Sequence, residues 1–201
     1  MTTSPEVRAL RDLVQGFLAD YLRLVDPDMV RLLRMEALVV HRRHRDGVTV
    51  TGEVVTRERG DKAVIVVRIE EEWREPEEMV EAVARTLEGL GVGYGTPVIV
   101  SILALRGGQP GIRLETVPVA RVGGVEVLRL YYQAFGLSEA RAEPFLERPE
   151  PVAWAFSAAM RPRARSLEEH RRACLARLSG ASLAPAVRRR LRRAAEVLMQ
   201  E

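Results

Sequence analysis

Three glutamates in the first half of the chain have the spacing of a candidate active site. The run Val64, Ile65, Val66, Val67, Arg68, Ile69 has strand character and leads directly into Glu70, Glu71 and Glu72. Side chains alternate across a strand, so Glu70 and Glu72 fall on one face. Two neighbouring carboxylates repel each other unless something positive lies between them, and an oxygen-preferring ion such as Mg²⁺ or Mn²⁺ would serve. Glu53, on the preceding strand-like segment, is a third carboxylate that a hairpin would bring opposite. The same residues have a plainer reading. A strand ending in three glutamates has reached solvent, and Glu75, Glu77 and Glu78 then favour the N-terminus of the next helix.

A second group is basic. Over residues 185–199, Val187, Leu191, Ala194, Ala195 and Leu198 recur on one helical face. That leaves Arg188, Arg189, Arg190, Arg192 and Arg193 on the remainder. Such a face can follow a phosphate backbone with salt-dependent, sequence-independent affinity, or it can simply be the solvated side of a packed helix. No aromatic residue lies among these arginines, so stacking on single-stranded bases has no support there. Other candidates read as structural. Gly91, Val92, Gly93, Tyr94, Gly95 closes a helix and precedes a strand, the reverse of a nucleotide loop, and is expected to be a turn. His41 and His44 lack a Cys partner and read as a solvated loop. His170 is expected on an exposed helix face, and Cys174, sharing a face with Leu167 and Leu178, as a small core residue.

These residues need elements to hold them. A capping Ser4 before Pro5 opens a helix whose apolar face runs from Leu10 to Val25, and Asp26, Pro27, Asp28 ends it and can cap a short second helix. Residues 37–40, 48–56 and 63–69 are β-rich, the last two forming a hairpin around Gly60 and Asp61. Pro76 starts an amphipathic helix carrying Met79, Val80, Val83 and Leu87. Residues 98–105 form an apolar run expected to be a strand covered on both faces, and 112–120 and 125–132 flank a turn at Gly123 and Gly124. Helical texture follows at 152–160, 167–178 and 185–199. The order predicts an α/β protein with helices on a mixed sheet, divided into a domain at 1–160 and an arginine-rich helical extension at 161–201.

Composition narrows the class. The 201 residues are 47% apolar and 29% charged, which excludes disordered and low-complexity classes. One cysteine allows neither an internal disulfide nor a Cys-rich zinc site and suggests a reducing compartment. No secretory signal and no membrane-length apolar run is evident, so a cytoplasmic location and no membrane partner are expected. Of 31 basic and 28 acidic residues, 11 and 4 lie from Val152 onward, giving that end a net charge of +7 against −4 for the rest. Lys62 is the sole lysine and asparagine is absent; heat adaptation and GC-rich codon usage both leave that trace.

The order of elements and certain stretches together resemble the PD-(D/E)xK nuclease-like transposase family, of the recombination-promoting nuclease type. The stretches are Gly52, Glu53, Val54, Val55; Val66 through Glu72; Glu78, Met79; Thr96, Pro97 and the strand after them; Val127 through Tyr132; and Pro149 through Ala155. The likeness covers roughly residues 17 to 178. It implies a restriction-endonuclease-like mixed sheet and Mg²⁺-assisted hydrolysis of double-stranded DNA in association with mobile elements. Glu53 and Glu70 would be the metal ligands, and Glu72 a third ligand or water-positioning group. Outside that stretch, the basic helix face described above makes Arg188, Arg189, Arg192 and Arg193 the expected nucleic-acid-binding residues, and a homo-oligomer is a further expectation.

The departures are specific. Glu53 stands where the family has Asp, Glu72 where it has Gln or Lys, and Glu78 where an arginine is usual. A carboxylate at Glu72 adds negative charge where a phosphate must approach. The resemblance therefore implies a divergent member and leaves two functions open. One is a metal-dependent endonuclease with a degenerate site; the other is an inactive nuclease-fold scaffold or a DNA- or protein-binding module.

Overall fold

The computed structural model describes residues 3–41, 48–93, 95–108, 111–122 and 125–200. The turn expected at Gly123 and Gly124, and with it His44 and Tyr94, lies outside these residues.

Helix α1, Pro5–Gly16, begins as expected, with Ser4 accepting from the Val7 amide and Pro5 in the first turn. The continuous helix expected from Pro5 to Val25 is broken. Phe17 leaves helical geometry, and α2, Leu18–Val25, starts anew. At this break the guanidinium of Arg190, far away in sequence, occupies the space a side chain at position 16 would fill and covers the Phe17 ring. Glycine at 16 makes that approach possible. Helix α3, Pro27–Arg31, is capped by Asp26, whose Oδ1 accepts from the Met29 amide at 2.9 Å.

The sheet follows. Strands β1 (Leu33–His41), β2 (Thr49–Thr56) and β3 (Lys62–Glu72) form an antiparallel meander. Helix α4, Pro76–Gly89, crosses over, and β4, Val98–Arg106, returns parallel to β3. Strands β5 (Gly111–Val122) and β6 (Val125–Gly136) form an antiparallel pair, with β6 parallel to β4. Among the described residues the order is β1-β2-β3-β4-β6-β5, one six-stranded mixed sheet. The hairpin at Gly60, the crossover helix at Pro76 and the central position of β4 are as the sequence predicts. The first strand, expected at 37–40, already begins at Leu33.

Alternation along β3 divides the core. Ala63, Ile65, Val67 and Ile69 face one cluster, while Val64 and Val66 face the other, beneath Met79, Val80 and Val83 of α4. Strand β4 is covered on both faces in the same way, Val100 and Ile102 under α4 and Leu103 and Leu105 opposite. The larger cluster is capped by α1, α2 and the C-terminal helices α5 (Ala142–Glu147), α6 (Pro151–Ser157), α7 (Leu167–Gly180) and α8 (Pro185–Leu198). Leu178, Leu191, Ala195 and Leu198 belong to this same core. The stretch 161–200 therefore packs into the body of the protein, because the apolar faces of α7 and α8 need α1 and α6 to cover them. Among the described residues no helix is long and apolar enough to cross a membrane.

Candidate functional site

Glu70 and Glu72 share one face of β3, as expected from strand alternation, but their surroundings differ. Glu70 is 4% exposed. Its Oε1 accepts from Arg68 Nε at 2.6 Å, and Arg74 Nε lies 3.4 Å from its Oε2. Arg68 also reaches Thr49 Oγ1 on β2, at 3.4 Å. Glu72 is exposed and in register with Arg106 of β4; Glu71, on the other face, lies 3.7 Å from that arginine. The end of β4 is held against this segment by glycine. Gly107 and Gly108 have φ of +71° and +84°, and a side chain at 108 would meet the Trp73 ring at 2.7 Å. Only glycine combines that backbone conformation with that approach.

Glu53 does not join them. The antiparallel register pairs Glu53 with Val64 and Thr49 with Arg68. Six residues of strand separate Val64 from Glu70, about 20 Å at the usual rise. Glu53 instead takes a salt bridge from Lys62 Nζ at 2.6 Å, and His41 Nε2 stands 3.6 Å away. The expectation that Glu53, Glu70 and Glu72 converge on one ion is corrected by this register, which the β2–β3 turn fixes. His41, expected in a loop, ends β1.

Among the described residues no three of His, Cys, Asp and Glu stand together where they could hold a metal ion. The donor set read from the sequence does not fit Mg²⁺, since one ligand is remote and another is engaged by two arginines. Comparisons of the chain with family models, with curated proteins and with solved structures found no match.

The arginines of α8 divide into two kinds. Arg188 is half-buried and donates from Nη2 to Leu183 O at 3.1 Å. Arg190 donates to Asp12 O on α1. Arg192 pairs with Glu196 at 3.3 Å, one turn on, an exposed pair of small energetic value. Arg189 and Arg193 are exposed and, four residues apart, lie on one helix face. Arg193 also lines a groove of about 530 Å³ between α1 and α8, together with Arg8, Arg190 and Asp12. Of the four arginines named from sequence, Arg188 is committed to the protein's own backbone and the other three face outward.

One buried cluster escaped the sequence reading. Cys174 is in the core as expected, but His170, expected outside, is fully buried beside it. His170 Nε2 lies 2.8 Å from Ser157 O and 3.3 Å from Cys174 Sγ, and Ser157 Oγ lies 3.1 Å from that sulfur. Burial pushes the thiol above its ordinary value, with the Ser157 contact opposing it, so the sulfur is a poor nucleophile. The signal was the spacing 170, 174, 178, which puts His170 on the face of Cys174 and Leu178.

Proposed function

We propose that this chain is a nuclease-like α/β protein that associates with duplex DNA through the outward arginines of α8 and does not cleave it. The observation carrying this reading is the pairing of Glu70. The carboxylate at the centre of the resembling stretch is buried with one oxygen on Arg68 and the other beside Arg74. It acts as an internal counter-charge, with an arginine beside each oxygen. The restriction-endonuclease-like part of the reading draws support from element order: an antiparallel meander, the crossover helix α4, then β4 parallel to β3. That is the succession on which the resemblance rests. DNA association draws support from Arg189, Arg192 and Arg193, whose guanidinium groups can neutralise phosphates and release condensed counterions.

A metal-dependent endonuclease is the second reading, favoured by Glu70 and Glu72 sharing a face at the end of β3. One experiment separates them. Duplex binding by the full chain is titrated across salt concentrations, and cleavage is followed in Mg²⁺ and Mn²⁺. Salt-sensitive binding without cleavage is expected, with Arg189→Ala and Arg193→Ala together lowering the slope of log affinity against log salt by about 2. An unchanged slope would reject the α8 interface, and cleavage abolished by Glu70→Gln would establish the catalytic reading.

A further inference from the structure

A second basic surface lies apart from the outward face of α8 and has no place in the reading above. Arg106, Arg161, Arg165 and Arg171 line a groove of about 600 Å³ where β4 and α6 end and α7 begins. Leu105, Met160 and Leu198 are among its apolar lining residues. No Asp or Glu lines it among the described residues. We propose that this groove binds phosphate groups, taken from a nucleoside polyphosphate or from a nucleic-acid backbone, the two sources sharing one recognition chemistry.

The argument has three parts. The first is charge. Four guanidinium groups around one concavity focus a positive potential, and the planar fork of each matches a phosphate through paired N–H donors. The carboxylates nearby stand outside the lining. Glu71 is 3.7 Å from Arg106, and Glu139 is 3.3 Å from Arg161, whose side chain is 73% exposed. Glu169 carries the attraction of Arg165 while accepting hydrogen bonds from Ser166. The exposed pair of Arg161 with Glu139 contributes little, so a polyanion can replace it at small cost.

The second part is position. The groove opens at the C-terminal end of β4, which runs parallel to both of its neighbours, β3 and β6. In open α/β sheets, ligands bind in crevices outside the carboxyl ends of the strands. The third part is size and lining. A concavity of this volume accommodates a nucleotide-sized ligand, and Leu105, Met160 and Leu198 give its wall apolar surface beside the arginines.

The test uses the full chain and tripolyphosphate, ATP and a short blunt DNA duplex, each titrated by calorimetry at low salt. Tripolyphosphate is expected to bind, and the double substitution Arg161→Ala, Arg165→Ala to weaken it by at least about tenfold, the effect of losing charge-assisted hydrogen bonds. One control keeps the outcome specific. Arg59→Ala with Arg85→Ala removes the same charge from exposed positions elsewhere and should leave tripolyphosphate binding unchanged. Matching thermal melts show that each variant folds. ATP bound much more tightly than tripolyphosphate would identify a free nucleotide as the source. Equal affinities, with duplex binding lost in the Arg161, Arg165 variant, would identify the nucleic-acid backbone. No tripolyphosphate binding, binding unchanged by the groove substitutions, or an equal loss in the Arg59, Arg85 control would overturn the proposal. Because the readout is a small phosphate ligand, the groove can fail while α8 still binds DNA, and the reverse.

Discussion

Removing Arg68 should destabilise the protein far more than removing an ordinary surface arginine, and the size follows from what it leaves behind. Arg68 is 14% exposed in its side chain and holds the 5% exposed side chain of Glu70 at 2.6 Å. In Arg68→Ala, Glu70 keeps only Arg74, 3.4 Å away and about half exposed. Stranding a buried charge costs about 3–5 kcal/mol. Because Arg74 still offsets part of that charge, a loss of about 2–3 kcal/mol is expected. At this chain length each kcal/mol lowers the melting temperature by about 2–4 °C, so a fall of roughly 4–12 °C should appear in thermal scans. Denaturant unfolding of Arg68→Ala, Glu70→Ala and the double variant then gives the coupling between the two side chains. Replacing both partners should cost much less than the sum of the single losses, since no unpaired charge remains. Coupling within about 0.5 kcal/mol of zero would refute the ion-pair account of Glu70. A melting temperature raised by Mn²⁺ in the parent and not in Glu70→Gln would refute it from the other side, by showing that the carboxylate holds an ion.

Two further outcomes test how the ends of the sheet are built. The amides of Ala164 and Arg163 donate to Glu143 and hold its carboxyl down at about 2 from an ordinary 4.5. A carboxyl lowered in the folded state contributes stability that is complete above about pH 4.5 and disappears as pH falls toward 2. Denaturant midpoints of the parent should therefore decline more steeply over that window than those of Glu143→Gln, and equal declines would remove Glu143 from the account. Gly108→Ala forces a side chain into a left-handed backbone conformation and against the Trp73 ring, so a loss of about 2 kcal/mol is expected by denaturant titration. A loss below about 0.5 kcal/mol would mean that the turn relaxes freely.

The sequence determined the local elements, because each is written in short-range chemistry. Ser4 and Pro5 start α1, Gly60 and Asp61 turn β2 into β3, Pro76 opens α4, and the alternation of residues 63–69 gives β3 its two faces. It also placed Glu70 and Glu72 on one side of β3 and Cys174 in the core. Register and packing were not legible in the same way. A period of two says which face Glu53 takes but not which residue it opposes, and the turn set that partner as Val64, remote from Glu70. At the break at Phe17, Arg190 from more than 170 positions away packs on Gly16 and the Phe17 ring, a contact that the apolar spacing of residues 10–25 does not announce. The arginine-rich helix shows why charge alone misleads. Leu191, Ala195 and Leu198 bind α8 into the core, so its basic face is one side of a structural element. The groove of Arg106, Arg161, Arg165 and Arg171 exists only because β4 and α6 end where α7 begins, and their separation along the chain hides that from any local pattern.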